Sequence, residues 1–319
     1  MPETICLDPK FSTTRLVTRE ALIIKNPPDS RIKHVFRLTH NSDLKGEGGL
    51  RVQGYFKKSL PSKPLVTVIT VVFNGAKHLD DTIRSVITQT YDNVEYIIID
   101  GGSTDGTLDI IKKYEGKIDY WVSEKDKGIS DAFNKGISLS TGNIIGIINA
   151  DDWYELDAIQ MVAERYISQN KNNIIFHGEL YYHNAFDGTS YKVVPDISRI
   201  WDKMLIFHPT MFVGSSVYQW LGGFSDEYKY AMDCEFVHRC LANNVTFVGI
   251  NSVISNMRLF GVSDIQYKAA HKEFCRSSIR YGYSRYSAYF NYLDILIRKR
   301  LLKSRYGKLI QRIKRALFP

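Results

Sequence analysis

Residues 143–154 read NIIGIINADDWY. Ile144, Ile145, Ile147 and Ile148 form a short, β-branched, uncharged run, the pattern of a strand covered on both faces. The run stops on Asn149, Ala150, Asp151 and Asp152, and apolar positions resume at helical spacing over 156–166. Carboxylates at the carboxyl end of a central parallel strand lie where open α/β sheets bind ligands. Two adjacent Asp side chains repel each other, and a cation that takes oxygen ligands, Mg²⁺ or Mn²⁺, relieves that repulsion. A second reading has Asp152 capping the next helix, a common role for Asp. The stretch by itself fits both.

Toward the N-terminus the same strand-then-helix rhythm repeats. Residues 65–73 (LVTVITVVF) read as a central strand closed by Asn74 and Gly75, with helical spacing after it through Leu79, Ile83, Val86 and Ile87. Residues 94–99 give a second strand that ends on Asp100. Gly101 to Thr104 form a loop, and Asp105 is placed to cap a helix over 106–114. Residues 118–122 are a third strand, 129–139 a third helix and 143–149 the fourth strand. This alternation predicts an α/β fold: a doubly wound, mainly parallel sheet with right-handed crossovers and helices on both faces. Asn74 and Asp100 end strands with groups that suit a nucleotide; the lesser reading of Asp100 is a turn residue before Gly101-Gly102. No G-x-G-x-x-G follows the first strand and there is no Walker loop, which argues against dinucleotide and P-loop sites.

Toward the C-terminus, 174–194 read as two strands around a turn at Asp187-Gly188. Their aromatics Tyr181, Tyr182, Phe186 and Tyr191, like Trp201 and Trp220, serve either sugar stacking or core packing. Asp233 precedes a helical run through Phe236, Val237, Cys240 and Leu241, where local sequence favours a helix cap, and 264–281 read as a further helix. Residues 286–317 form a basic helical pattern with Leu302, Tyr306, Leu309, Ile310, Ile313 and Leu317 on one side. Residues 1–62 are an extension, with strands expected at 16–24 and 32–38 and a loop over 41–54.

Charge separates the tail from the body. Beyond Asp294 there are nine Lys and Arg and no acid, which leaves 33 basic against 34 acidic residues in the rest of the 319-residue chain. The whole net charge of +8 therefore sits at the C-terminal end. A basic amphipathic helix suits the anionic surface of a membrane; a solvated helix docked on the body, or an unfolded end weakened by Gly307, would show the same residues. No RNA- or DNA-binding module accompanies it, so nucleic acid is not an expected partner. The four cysteines stand at no metal-finger or redox spacing and are expected as free thiols. No apolar run reaches the ~18 residues of a spanning helix, and no signal peptide is legible, so the expected location is cytoplasmic.

Five pieces in order over 65–265 resemble family 2 glycosyltransferases of the GT-A fold, of the kind that builds bacterial colanic acid, O-antigen or capsule. They are VTVITVVFNGAKHLDDTIRSVITQTYDNVEYIIIDGGSTDGT, EKDKGISDAFNKGISLSTGNIIGIINADDWY, HPTMFVGSSVYQWLGGFSDEY, YAMDCEFVHRC and RLFGVS. The resemblance implies a catalytic domain over 63–262, with a nucleotide-binding half (63–154) and an acceptor half (155–262), followed by a helical region over 263–319. It implies that Val72, Phe73 and Asn74 line a nucleotide pocket and that Asp100 takes the base or ribose. Lys127 and Asp131 would border nucleotide and donor sugar. Asp152 would hold Mn²⁺ or Mg²⁺, with Asp151 on the metal or ribose, and Asn149 stands where the family often has a first acidic residue.

A departing sugar diphosphate gathers negative charge that a divalent ion stabilises, and an acceptor hydroxyl needs a carboxylate to take its proton. Asp233 matches the family's base, which implies inversion at the anomeric carbon. His208 is a candidate acceptor or diphosphate contact, and Arg239 a candidate partner of Asp233 or of the diphosphate. The implied donor is a UDP- or GDP-sugar. The implied acceptor is a growing, lipid-linked surface glycan on the cytoplasmic face of the inner membrane, with the basic tail as a peripheral contact. Two alternatives share the sheet. A sugar-nucleotide pyrophosphorylase needs a Gly-rich loop with Arg and Lys where this chain has FNGAKHL. A silent carbohydrate-binding or scaffold protein is a reading toward which only Asn149 leans.

Overall fold

The strand Val66–Val72 lies in the middle of a ten-stranded sheet, and all seven of its residues are buried. The structure, a computed structural model, describes residues 3–38, 43–169, 171, 173–184, 188–259 and 266–303. In chain order the strands are β1 (Val17–Thr18), β2 (Gly46–Gly48), β3 (Phe56–Lys57), β4 (Val66–Val72), β5 (Val94–Asp100), β6 (Tyr120–Ser123), β7 (Ile144–Asn149), β8 (Trp153–Tyr154), β9 (Ile174–His183), β10 (Ser190–Val193), β11 (Met211–Gly214) and β12 (Thr246–Arg258). The helices are α1 (Leu79–Ile87), α2 (Thr107–Lys113), α3 (Ile129–Leu139), α4 (Ala158–Ser168), α5 (Ser215–Leu221), α6 (Met232–Ala242), α7 (Tyr267–Arg280) and α8 (Arg285–Lys303).

The sheet runs β2-β6-β5-β4-β7-β11-β9-β12-β8, with β10 beside β9. Strands β6, β5, β4 and β7 are mutually parallel, as a doubly wound sheet requires. Strand β11 pairs antiparallel with both β7 and β9, so β9 and its parallel partner β12 run in the direction of β7. One face carries a core with α1, α2 and α4; the other carries α3, α5 and α6. Covering both faces is why β4 and β7 read as continuous apolar text. Buried hydroxyls in β4 are satisfied inside the sheet: Thr67 donates to Glu95 Oε2 at 2.6 Å, and Thr70 pairs with the Tyr96 hydroxyl at 3.0 Å. A Cβ on Gly136 would collide with Ile69, so the glycine lets α3 settle close to β4.

Three N-terminal expectations are corrected. Residues 16–24 give only the two-residue β1, and 32–38 are irregular, packing Ile32 and Val35 on the α3 face. The expected loop contains β2, which pairs antiparallel with β6 and adds an edge to the main sheet. Three residues GEG carry no alternation to read; the open edge of β6 decides their conformation. The extension is also held by Arg51, whose buried guanidinium meets Glu95 at 2.7 Å and the Leu139 carbonyl at 3.1 Å. The body and its extension thus share one sheet and one core.

At the other end, α7 packs on α6 and α8 packs on α7. Tyr306, Leu309, Ile310, Ile313 and Leu317 of the expected helical pattern lie outside the described residues, as do Phe186 and Asp187. Trp201 is accounted for by packing, stacked on His238 at 4.8 Å. The four cysteines are free, and Cys234, Cys240 and Cys275 are buried. Among the described residues no helix is long and apolar enough to cross a membrane.

Candidate active site at the carboxyl rim of the sheet

Chain direction decides which side chains meet. Strands β4, β5, β6, β7, β9 and β12 end on the same rim. The turn His208–Thr210 enters β11 there, because β11 runs opposite to β7. Helix α6 leads into β12, which starts at the far end beside Ile174, so the first turn of α6 with Asp233 lies back at the rim. Parallel α/β sheets present their ligand crevices at this end.

At the end of β7, Asp152 is 1% exposed and its amide donates to the Asn149 carbonyl at 3.2 Å, a tight turn. Thr82 of α1 donates to the Asp152 carbonyl at 2.6 Å, which fixes the turn against that helix. Oδ1 of Asp152 accepts the Arg258 amide at 3.1 Å, while Oδ2 is buried without a partner. Asn149 Oδ1 is also buried and unpartnered. Asp152 does not cap α4, which starts six residues later at Ala158. Burial, reinforced by the neighbouring Asp151, holds the Asp152 carboxyl well above the usual carboxylate range, and Arg258 pulls it back. Asp151 is exposed beside it.

Two orphaned oxygens and an adjacent carboxylate at one strand end make a hard-oxygen donor set. Among the described residues no three His, Cys, Asp or Glu side chains converge to cage an ion.

Arg258 covers this acidic end. Its guanidinium reaches the Asp151 carbonyl, meets Asp81 Oδ2 at 3.1 Å and lies over the Trp153 ring, 4.6 Å from its centroid. Sequence reading quoted Arg258 within RLFGVS without giving it a role; no local pattern says where the last residue of a strand will point.

The loop after β5 corrects the expectation for Asp100. Its carboxylate is fully buried and accepts the amides of Gly102 (3.2 Å) and Ser103 (3.0 Å), the Ser103 hydroxyl, and the Ser123 hydroxyl at 2.5 Å. It shapes the 101–105 loop, with its carboxylate engaged by these four donors. Asn74 holds the same loop from β4. With φ of +51°, it donates its amide to Ser103 Oγ at 2.7 Å and accepts the Thr104 amide on Oδ1 at 2.9 Å. Asp105, one residue before the Gly106 cap of α2, accepts the amides of Thr107 and Ala76, each at 3.1 Å. Val72 is also corrected: its side chain is buried in the α1-side core. Phe73 is the residue that lines the rim, 66% exposed and against Gly101.

Beside Gly101 lies Asp126, the neighbour in sequence of the expected contact Lys127. Its Oδ1 accepts the Gly128 amide at 2.9 Å, and burial raises its carboxyl above the ordinary range, with Asp131 and Asp100 adding to the rise. Asp131 accepts the Lys127 amide at 3.0 Å and stands 3.5 Å from Lys135, fixing the entry to α3; Lys127 is exposed there.

On the face shared by α3 and α6, Asp233 is half-buried in the first turn of α6, with Oδ1 accepting the Cys234 amide at 2.8 Å. Burial raises its carboxyl as well. His208 packs 5.7 Å from Phe133, and its Nε2 is buried without a partner. Burial holds the imidazole down at about 4, so it is neutral at pH 7 and offers a hydrogen bond, not a charge, to a ligand. Arg239 is a correction. It binds Glu235 at 3.0 Å and caps α5 through the Leu221 carbonyl at 2.5 Å and the Gly223 carbonyl at 2.5 Å, facing neither Asp233 nor the rim. An i,i+4 acid on its own helix outcompetes the Asp six residues away.

The family model for glycosyl transferase family 2 matches residues 67–212, which span β4 to β11 and the whole acidic rim. A PGL/p-HBAD biosynthesis glycosyltransferase of Mycobacterium bovis is 28% identical over 186 residues, 56% of this chain and 71% of that protein. The glycosyltransferase GlyA of Streptococcus pneumoniae is 29% identical over 144 residues, 39% of this chain, and the match spans only 20% of its length. Among solved structures, S. aureus TarS in complex with UDP-GlcNAc superposes with a TM-score of 0.55 at 16% identity, covering 76% of this chain and 74% of that one. A mannosyltransferase of Pyrobaculum calidifontis in complex with GDP-Man and Mn²⁺ gives 0.54 at 18% identity over 82% of each chain. These likenesses show a shared GT-A fold. The segment that matches glycosyl transferase family 2 thus lies across the rim, and these likenesses support an enzyme that transfers sugars.

Proposed function

We propose that the enzyme moves a sugar, with inversion, from a UDP- or GDP-sugar to a hydroxyl of a growing lipid-linked surface glycan at the cytoplasmic face of a membrane. The observation that carries the reading is that Asp152 Oδ2 and Asn149 Oδ1, both in the turn that closes β7, are buried without a partner. Nucleotide sugars bound to TarS and to the mannosyltransferase support the donor class, and the Mn²⁺ of the latter supports a divalent ion.

Asp152, Asn149 and Asp151 would hold Mn²⁺ or Mg²⁺, which when bound supplies a Lewis acid for the charge that gathers on the diphosphate. The 101–105 loop, set by Asp100 and Asn74, supports the nucleotide, with Phe73 and Asp126 at its border. Arg258 supplies a second positive charge beside Asp151. Asp233 takes the proton of the acceptor hydroxyl as its oxygen bonds to the anomeric carbon and the nucleotide diphosphate departs. A carboxylate raised by burial is a better base than one in water.

The test is release of UDP or GDP from a panel of nucleotide sugars, with Mn²⁺ and with EDTA. Ion-dependent release that Asp152→Asn abolishes supports the reading. Release of a nucleoside triphosphate on adding pyrophosphate, or release indifferent to EDTA and to Asp152→Asn, overturns it.

A further inference from the structure

Helix α8 buries one side and leaves the other bare. Ala288, Asn291, Tyr292 and Ile295 face Trp201, Phe274 and Cys275, and Asn291 donates to Asp202 at 2.8 Å. On the far side Tyr286, Tyr289, Phe290, Leu293 and Ile297 are each between 55% and 90% exposed. At 3.6 residues per turn these five fall within an arc of roughly 100°, opposite the docked side. Isolated exposed hydrophobes are ordinary, but a contiguous stripe of five large side chains on one helix is an interaction surface.

The charge around the stripe says what covers it. Arg285 and Arg298 flank it and Arg300 stands at its C-terminal end, with Asp294 as the one acid on the helix, paired to Arg298 at 2.7 Å. Past Asp294 the sequence adds only basic residues, nine of them. An apolar face about three turns long between cations is complementary to an anionic lipid surface, with the rings and aliphatic chains at the acyl boundary and the guanidinium groups among the headgroups.

We infer that the Tyr286–Tyr289–Phe290–Leu293–Ile297 face of α8 seats the enzyme on an anionic bilayer. The inference rests on the proposed lipid-linked acceptor for its purpose, and on the stripe and its charges for its chemistry. This face differs from the Leu302–Leu317 side read in the sequence: it comprises Tyr286 to Ile297 of α8, the helix that packs on α7 and Trp201.

Co-sedimentation of the full chain with vesicles tests it, using phosphatidylglycerol mixed with phosphatidylcholine against phosphatidylcholine alone. The chain is expected to pellet with the anionic vesicles only, and less as salt rises. Phe290→Ser/Leu293→Ser/Ile297→Ser removes three exposed side chains and should cut the bound fraction by at least about tenfold, with the melting temperature unchanged. UDP or GDP binding in Mn²⁺, measured by calorimetry, should be the same in both proteins, so a failure of the donor reading shows there and not in the pellet. A wild type that ignores anionic vesicles overturns the inference. So does a triple variant that binds like wild type while removal of residues 304–319 abolishes binding, or a stripe-dependent dimer in light scattering.

Discussion

Asp152 and Arg258 are joined at the rim through main chain: the Arg258 amide donates to Asp152 Oδ1 at 3.1 Å, while the guanidinium turns to the Asp151 carbonyl and to Asp81. The last residue of β12 thus holds one oxygen of the β7 carboxylate and leaves the other free. A buried carboxylate with one unpartnered oxygen destabilises the protein unless a cation or proton arrives.

Asp152→Asn should therefore separate stability from activity. A carboxyl raised by burial contributes stability that is complete below about pH 4 and lost as pH rises through its folded value. At pH 8 in EDTA the Asn variant should melt at or above the wild-type temperature. Its nucleotide-sugar turnover should fall by about a hundredfold or more, the loss of several kcal/mol of charge stabilisation. A variant that melts several degrees lower would contradict the unpartnered oxygen.

Arg258→Gln keeps the main-chain bond to Asp152 and removes the charge. Because Arg258 pulls the Asp152 carboxyl down, its loss should move the acidic limb of the pH–rate profile to higher pH. Asp81 is largely exposed, so its pair with Arg258 is worth at most about 1 kcal/mol and thermal stability should change little. An unmoved acidic limb would show that the guanidinium does not act on this carboxylate.

Asp233→Asn should lower kcat by about 10²- to 10⁴-fold, the usual worth of a positioned base, with UDP or GDP affinity unchanged. The cap-like bond to the Cys234 amide survives in Asn, so the fold is retained. Near-normal kcat in a folded Asn variant would place the base elsewhere on the rim.

Three buried imidazoles set an acid limit. His177, His208 and His238 are each held down at about 4 by burial. A depressed folded value means stability that is complete above about pH 6.5 and lost as pH falls toward 4. The urea midpoint should drop steadily over that window. His177→Phe should lose less of it than the wild type, and an identical slope in both proteins would exclude His177 as a contributor.

Arg51→Met leaves Glu95 buried without its cation, although Thr67 and Thr141 still donate to it. Breaking one side of a buried pair costs about 3–5 kcal/mol, which urea denaturation should record. Arg51→Met combined with Glu95→Gln should recover much of that loss. No recovery in the pair would mean that Arg51 acts mainly through the Leu139 and Phe36 carbonyls.

Much of this was legible in the text of the chain. The isoleucines of β7 and the valines of β4 name themselves as strands because burial on both faces leaves no polar position. Asp151 and Asp152 stand out because charge ends such a run. Val72, Asp100 and Arg239 were read by position alone, and each side chain turned to a nearer partner: the α1-side core, the amides of the next loop, and the acid one helical turn away. Local hydrogen bonds of that kind cost little chain entropy and win whenever geometry allows them.

The sequence by itself determined the alternating strands and helices, the acidic end of β7, the helix that carries Asp233 and the basic tail, because hydrophobic period and charge are properties of neighbours along the chain. Only the tertiary structure decided that Gly46–Gly48 completes the sheet, that Arg258 reaches Asp152, that Asp126 borders Gly101 and that the exposed stripe lies on α8. Each of these brings together residues far apart in the chain or depends on which helix face is already covered, and packing alone settles that.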